Sequence, residues 1–496
     1  MTKKSAPYIP RVLTSRQWFW FLLILGLATR LPLLSNSTTE NTDGILNLTY
    51  FSPDLVDTPR FCILPGYPLM LWVGTHLGLN GILWGRVLAM IASLLFLIPL
   101  WRLCRRWMSV EMSGMVSLMA LFSPLLWQWS LRVMADTWLL LAFWAGLERL
   151  CVAYVDKNER VWVEACLWGA LAAFVRPEGF LLAPWILWIL FKINKPMIWK
   201  GVFFFFLLWA IPIIFLGARF STIFLAYQEG LGIAGGISEM DSPLLNFAQH
   251  LYAYMTQPAF VFTPLLFLLA LGGLWRMAWF KSPVGQAWRR IIFPVCSLVF
   301  LSRLIPTAYQ DRYLLLLLPL FLVSAGMELE TLFLDWKRRR GEFKAMVLKN
   351  SLLTFGLLYQ ILFSMLVIAY QSDSFGDLQR SAQFLKTLPV NAVIYSDEIP
   401  KTQYWAGRPI RPQILPFNPM PGDYLVLHSF YTPRLGFVDR TLKDRYGAEI
   451  LHSDSSVIIP ILTDLMTDPT LQNRVGATAF RFDPQFFQSV LYQIHR

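Results

Sequence analysis

The sequence is poor in charge and lacks the clustered cysteines and histidines that indicate a metal site or a disulfide framework. Only 15% of its 496 residues are charged, against about a quarter in an ordinary soluble domain. The 5 cysteines are scattered without C-x-x-C spacing, so they predict neither bound zinc nor paired disulfides. The composition excludes collagen-like, disulfide-scaffold and intrinsically disordered classes. We find no internal repeat and no low-complexity segment.

Long apolar runs, in contrast, recur along most of the chain. Hydrophobic residues make up 56% of the sequence, with 21 Trp and 38 Phe. A helix needs about 20 apolar residues to cross a bilayer, and we therefore predict an all-α polytopic membrane domain over residues 1–370 with about eleven transmembrane helices. The predicted spans are roughly 17–34, 82–101, 112–129, 134–153, 161–175, 179–193, 201–217, 258–279, 291–306, 313–333 and 349–370.

The net charge of +12 is explained by membrane topology rather than by nucleic acid. With these spans, and leaving residues 371–496 aside, 23 Lys and Arg residues fall on one side of the membrane and seven on the other. Basic residues are enriched in cytoplasmic loops, so we predict a cytoplasmic N-terminus and an extracytoplasmic C-terminus. The predicted location is the plasma membrane, most simply of a bacterium.

Residues 371–496 change character, because the apolar runs shorten and Pro, Asp, Gln and Arg become frequent. Residues 391–397 and 423–428 are typical of short buried strands, and we expect a further strand pair around 450–462. The stretches 375–388 and 434–446 favour helices. Alternating helices and strands predict a small extracytoplasmic α/β domain.

Two long loops lie on the side predicted to be external. The second runs from Ala218 to Gln257. The first loop (residues 35–68) ends in Pro65-Gly66-Tyr67-Pro68, and the apolar stretch 69–79 that follows is too short to span and is predicted to lie at the interface. Long loops in compact proteins are often functional. The charged residues of the first loop are Glu40, Asp43, Asp54, Asp57 and Arg60.

Other ionisable residues gather at the same ends of later spans. Charged groups at membrane depth are energetically costly and tend to mark a functional site. Arginine also suits phosphate, because its planar guanidinium donates two parallel hydrogen bonds. The external carboxylates are Asp43, Asp136, Glu178 and Asp311, and the arginines are Arg60, Arg176, Arg303 and Arg312.

The order of these motifs resembles one enzyme superfamily. The motifs are a first span ending in Arg30, an acidic first loop followed by Pro-Gly-Tyr-Pro, Ser-x-x-x-Met-x-Asp at 130–136, Arg-Pro-Glu-Gly at 176–179, and Asp-Arg-Tyr followed by leucines at 311–319. Together they resemble the GT-C glycosyltransferases that use polyprenyl-phosphate sugars. The branch of protein O-mannosyltransferases and lipid A aminoarabinose transferases is the most similar.

The resemblance implies an integral membrane glycosyltransferase of the cell envelope, with a polyprenyl-phosphate sugar donor and a lipid, glycan or protein acceptor. A carboxylate would act as base and the anomeric centre would be inverted. The family often has an Asp-Glu pair in the first loop, whereas Gly44 follows Asp43 here. No cofactor is certain, although an Asp-held Mg²⁺ or Mn²⁺ is compatible with these residues. The implied catalytic residues are Asp43 and Asp136; the donor-phosphate ligands are Arg60, Arg176, Arg303 and Arg312; and the supporting residues are Glu178 and Tyr313.

Simpler interpretations stand beside these. Asp43 is also explained as a solvated loop carboxylate, Asp136 as a helix cap, and the arginines as interfacial anchors. Glu178 could serve only as the salt-bridge partner of Arg176, and Arg86 could pair with a loop carboxylate. A transporter or lipid flippase is the alternative function, although such proteins usually contain paired repeats. A non-catalytic anchor would need neither the loop acids nor the external arginines.

The predicted topology can be tested by thiol labelling in intact cells. We expect a cysteine introduced into the first loop or into residues 371–496 to react with an impermeant reagent, because both lie outside. A cysteine at 337–344 should react only after permeabilisation. The reverse pattern would place the predicted site in the cytoplasm.

Overall fold

The computed structural model describes residues 14–35, 40, 42–51, 63–193, 198–230, 263–303, 311–371, 376–412, 419–429, 435–458 and 485–495. The first part of this chain is helical. Thr14 and Gln17 form a reciprocal capping box that begins the first helix, and comparable side-chain caps begin several others. The helices are α1 Ser15–Arg30, α2 Thr42–Leu48, α3 Gly66–His76, α4 Gly81–Leu95, α5 Leu97–Cys104, α6 Val110–Leu121, α7 Pro124–Trp129, α8 Asp136–Asp156, α9 Glu159–Val175, α10 Ala183–Ile193 and α11 Ile198–Gly230.

Five more helices complete the bundle. Short 3-10 turns precede two helices of the bundle. They are Pro177–Leu182 before α10 and Asp311–Leu317 before α15. The helices are α12 Pro264–Trp279, α13 Pro283–Ala287, α14 Phe293–Arg303, α15 Leu318–Arg340 and α16 Glu342–Gln371.

The helices have the length and surface expected in a bilayer. Within the described residues, 6 helical stretches are long and apolar enough to cross a membrane. Helix α11 shows the lipid-facing character most clearly, because Phe203, Leu207 and Ile214 are all exposed. A surface of this kind would be unstable in water but matches hydrocarbon. The chain is therefore an integral membrane protein.

Helix α8 forms the centre of the bundle. It packs against α4, α5, α9 and α10, and nearly all of its residues from Asp136 to Ala153 are buried. Trp144 donates a hydrogen bond from Nε1 to the carbonyl of Leu316 at 2.9 Å. On another side, α12 approaches α15 so closely that a Cβ at Gly273 would collide with the Ser324 carbonyl.

The C-terminal part contains a five-stranded mixed sheet in the order β2-β1-β3-β5-β4. Strands β2, β1 and β3 are parallel, while β5 runs antiparallel to both β3 and β4. Every residue of β3 is buried. The elements are α17 Gly376–Phe384, β1 Ile394–Ser396, α18 Ile399–Ala406, β2 Arg411–Pro412, β3 Tyr424–His428, α19 Leu435–Tyr446, β4 Glu449–Ile458 and β5 Gln485–Gln493.

The prediction of a mostly helical membrane protein is confirmed, and helical backbone lies in each of the eleven predicted spans. Two local predictions are wrong. The expected strand pair near 450–462 is the single strand β4, whose partner is the distant β5. The second long loop does not begin at Ala218, because α11 continues to Gly230; the sequence there still contains the apolar residues Ile223, Phe224 and Leu225.

Candidate functional site

Glu40 ties the first loop to the helical bundle. Its Oε1 accepts a hydrogen bond from Arg86 Nε at 2.7 Å, and its Oε2 accepts one from the Val133 backbone N at 2.8 Å. Arg86 also donates to the carbonyl of Leu34 at 2.9 Å. Both charged side chains are buried, so the charge of each offsets the cost of burying the other. The prediction that Arg86 pairs with a loop carboxylate is confirmed.

A second arginine, Arg30, binds the segment at residues 130–136, which lies between α7 and α8. It contacts the beginning of the segment, at Ser130. Arg30 is fully buried and donates from Nε to Ser130 Oγ at 3.0 Å. It also donates from Nη2 to the carbonyl of Leu121 at 2.7 Å. The guanidinium lies 5.7 Å from the ring centroid of Trp127. The end of α1 is thereby fixed to the same segment that binds Glu40.

Asp136 lies at the last position of this segment. Its Oδ1 is 2.9 Å from Arg176 Nη1, and Arg176 also bonds both carboxylate oxygens of Glu178 at 3.2 Å. Arg176 takes an extended conformation between α9 and the turn at Pro177, which directs it back towards α8. Asp136 does not occupy the cap position, which is Ala135. Its buried Oδ2 has no hydrogen-bond partner within the described residues.

The hydroxyl of Tyr67 is influenced by both of these groups of charges. It donates to the carbonyl of Gly85 at 3.1 Å. Burial raises the pKa of Tyr67, and the carboxylates of Glu40 and Asp136 raise it further. Tyr67 therefore remains a neutral hydrogen-bonding group under the influence of two carboxylates.

Asp43 lies in the first turn of α2 and is half-buried. The next residue, Gly44, explains the departure from the family's Asp-Glu pair. A Cβ at Gly44 would lie 2.8 Å from the carbonyl oxygen of Val133 and 3.5 Å from Glu40 Oε2. There is therefore no room for a side chain at position 44. The Glu40 carboxylate lies next to the position that the Cβ would take.

The C-terminal part brings further charged residues to the first loop. Helix α18 packs against α2, and the side chain of its Lys401 is buried. Burial lowers the pKa of Lys401 to about 8. Charges from both parts of the protein also act on it, and they belong to Glu398, Arg132, Asp377 and Asp43.

Several predicted site residues cannot be placed in this arrangement. Arg60, like Asp54 and Asp57, lies outside the described residues, as do the side chains of Arg303, Asp311, Arg312 and Tyr313. Asp43, Asp136, Arg176 and Glu178 are described, and the last three form one ion-pair network. Among the residues that can be placed, no three His, Cys, Asp or Glu side chains cluster as a metal site would require.

Sequence reasoning missed three residues near the first loop, namely Tyr67, Arg132 and Lys401. Tyr67 and Arg132 lie inside two of the motifs described above, at 65–68 and 130–136. Their position in those motifs could have indicated that they belong to the site. The guanidinium of Arg132 is buried and lies 5.6 Å from the Trp129 ring centroid. Lys401 gave no signal, because only the docking of α18 brings it to the loop.

The Glu40–Arg86 pair provides a test of this architecture. Arg86→Met leaves the Glu40 carboxylate buried without its cation, which should cost about 3–5 kcal/mol of stability. We expect a lower apparent Tm in detergent, largely restored in the double variant Arg86→Met/Glu40→Gln. Arg338→Met, which removes an exposed arginine, is the control. Equal Tm values for Arg86→Met and Arg338→Met would show that the pair does not hold the loop.

One protein-family model matches part of the chain. The family model described as dolichyl-phosphate-mannose-protein mannosyltransferase matches residues 57–216. This stretch contains Asp136 and Arg176 but begins after Asp43. No curated protein sequence matches the chain.

Solved structures share the fold over most of the chain. ArnT from Cupriavidus metallidurans, bound to undecaprenyl phosphate, is 12% identical with a TM-score of 0.53, covering 96% of this chain and 98% of that one. The oligosaccharyltransferase AglB from Archaeoglobus fulgidus, in complex with an inhibitory peptide and a dolichol-phosphate, is 11% identical with a TM-score of 0.51, covering 84% and 70%. The arabinofuranosyltransferase AftD from Mycobacteria is 14% identical with a TM-score of 0.54, covering 98% and 42%. The chain therefore shares the fold of ArnT, AglB and AftD, and residues 57–216 match the mannosyltransferase family model.

Proposed function

We propose that the protein transfers a sugar from a polyprenyl-phosphate donor to a lipid, glycan or protein acceptor at the extracytoplasmic face of the membrane. The observation that carries the proposal is the convergence of Asp43, Asp136 and Arg176 around the 130–136 segment. The similar ArnT structure, which holds undecaprenyl phosphate, supports a lipid-linked donor. We propose the predicted topology with it: eleven spans, a cytoplasmic N-terminus and an external α/β domain.

Asp43 is the better candidate for the base. It is half-buried, so an acceptor hydroxyl can reach it, and it lies on a helix that packs under the C-terminal part. Asp136 is buried and its Oδ1 pairs with Arg176, so an acceptor has less access to it than to Asp43. We assign Asp136 to orienting the acceptor through its unbonded Oδ2.

The reaction is a single displacement. The acceptor oxygen attacks the anomeric carbon while Asp43 removes its proton, and the bond to the donor phosphate breaks. One attack on the face opposite the leaving group inverts the anomeric centre, whereas a retaining enzyme would need a second, nucleophilic carboxylate. The polyprenyl phosphate leaves as an anion, and nearby cations stabilise its charge.

Cations for the leaving phosphate are available at this face. Arg132 is buried beside the first loop. Arg176 already bonds two carboxylates, so we assign it mainly to holding Asp136. The remaining predicted phosphate ligands are Arg60, Arg303 and Arg312, with Tyr313 as a supporting residue. The sequence is compatible with a divalent cation held by an Asp carboxylate, and we include such a cation in the proposal on this basis alone.

Substitution of Asp43 tests the assignment of the base. Asp43→Asn preserves size and hydrogen bonding but removes the charge, so turnover should fall by about 10²–10⁴-fold while the donor still binds. The measurement is sugar transfer by purified, monodisperse variants from a panel of undecaprenyl-phosphate sugars.

Asp54→Asn and Asp57→Asn, in the same loop, are the matched controls and should be much milder. Near-normal transfer by Asp43→Asn together with a collapse in Asp136→Asn would mean that Asp136 is the base. Near-normal transfer in all four variants would rule out a one-base mechanism.

A further inference from the structure

One face of α18 covers the first loop. The helix, Ile399–Ala406, packs against α2, Thr42–Leu48. Lys401 and Tyr404 are three residues apart and therefore lie on the same side of the helix. Burial raises the pKa of Tyr404, and the Glu40 carboxylate raises it further. This face of the C-terminal part is thus close to Glu40 and Asp43, the two acids of the first loop whose charges act on it.

Lys401 is an unusual residue to find in such an interface. Its side chain is only 1% exposed, and burying an ammonium group is costly unless negative charges compensate it. An apolar side chain of similar length would fill the space without this cost. The position of Lys401 therefore indicates that its charge is used.

The charges that act on Lys401 come from several parts of the chain, and Glu398 has the largest effect among them. Glu398 precedes its own helix, and Asp377 lies on α17, where His428 Nε2 is 3.1 Å from Asp377 Oδ2. The membrane domain contributes Arg132 from the 130–136 segment and Asp43 from α2. Lys401 therefore links the buried polar residues of the sheet to the carboxylate that we assign as the base.

We propose that Lys401 is a positioning residue for Asp43, which makes the docked C-terminal part a component of the active site. The inference rests on the function proposed above. The ammonium favours the ionised carboxylate and limits its rotation, so that Asp43 faces the acceptor in the state that can take a proton. The transferred proton ends on Asp43, and Lys401 itself exchanges none.

A pH profile separates this role from a purely structural one. Removing the cation disfavours the ionised form of Asp43, so the acid limb of kcat in Lys401→Met should move to higher pH. The pKa of Lys401, about 8, predicts that the wild-type contribution is lost as pH rises through this value. Lys401→Met should lack that alkaline loss.

Turnover and a double-mutant cycle complete the experiment. We expect Lys401→Met to lower kcat by about 10–100-fold, with the KM for an undecaprenyl-phosphate sugar little changed. Lys401→Arg should restore the acid limb and part of kcat. In the Asp43→Asn background, Lys401→Met should lower kcat little further, because the effects of substituting residues that act as a unit are not additive. Lys386→Met, which removes an exposed lysine, is the control.

The outcomes separate this inference from the proposed function. Wild-type kcat and pH profile in Lys401→Met, or full additivity with Asp43→Asn, would overturn the positioning role while leaving the glycosyltransferase intact. Absence of sugar transfer by the wild-type protein across the donor panel would overturn both. If Lys401→Met is not monodisperse, Lys401→Gln replaces it in the same measurements. This variant keeps hydrogen-bond donors but lacks the charge, so the same outcomes apply.

Discussion

Both carboxylate oxygens of Glu40 are used inside the protein, one by Arg86 and the other by the Val133 amide. Since a buried carboxylate is stable only with such partners, Glu40 stays bound to the bundle. The same 130–136 segment receives Arg30 at Ser130 and ends in Asp136, which binds Arg176. The position of Asp43 beside this segment follows from these bonds.

Much of this architecture is accessible from the sequence. Apolar runs locate the helices, and the motif order brings Asp136, Arg176 and Glu178 together because all three lie at the same ends of neighbouring helices. Contacts between distant segments are not encoded in a local pattern. The pairing of β4 with β5 and the burial of Lys401 both depend on tertiary docking, and Gly44 is explained only by the close approach of Val133.

The proposed function gives a reason for joining a sheet to a membrane bundle. A lipid-linked donor would confine the sugar to the membrane boundary, where the acceptor must meet it. Helix α18 lies against the first loop at this boundary. Because Lys401 is buried there, the C-terminal part brings charge to the first loop, and under our proposal both parts of the chain hold the base.

An experimental structure with bound undecaprenyl phosphate tests the central claim most directly, namely that the lipid phosphate is bound beside the first loop. We expect phosphate density next to Asp43 and the 130–136 segment, with the lipid tail running between helices towards the bilayer. Phosphate bound at the opposite ends of the helices, near the Arg276–Glu328 pair, would contradict the proposed site.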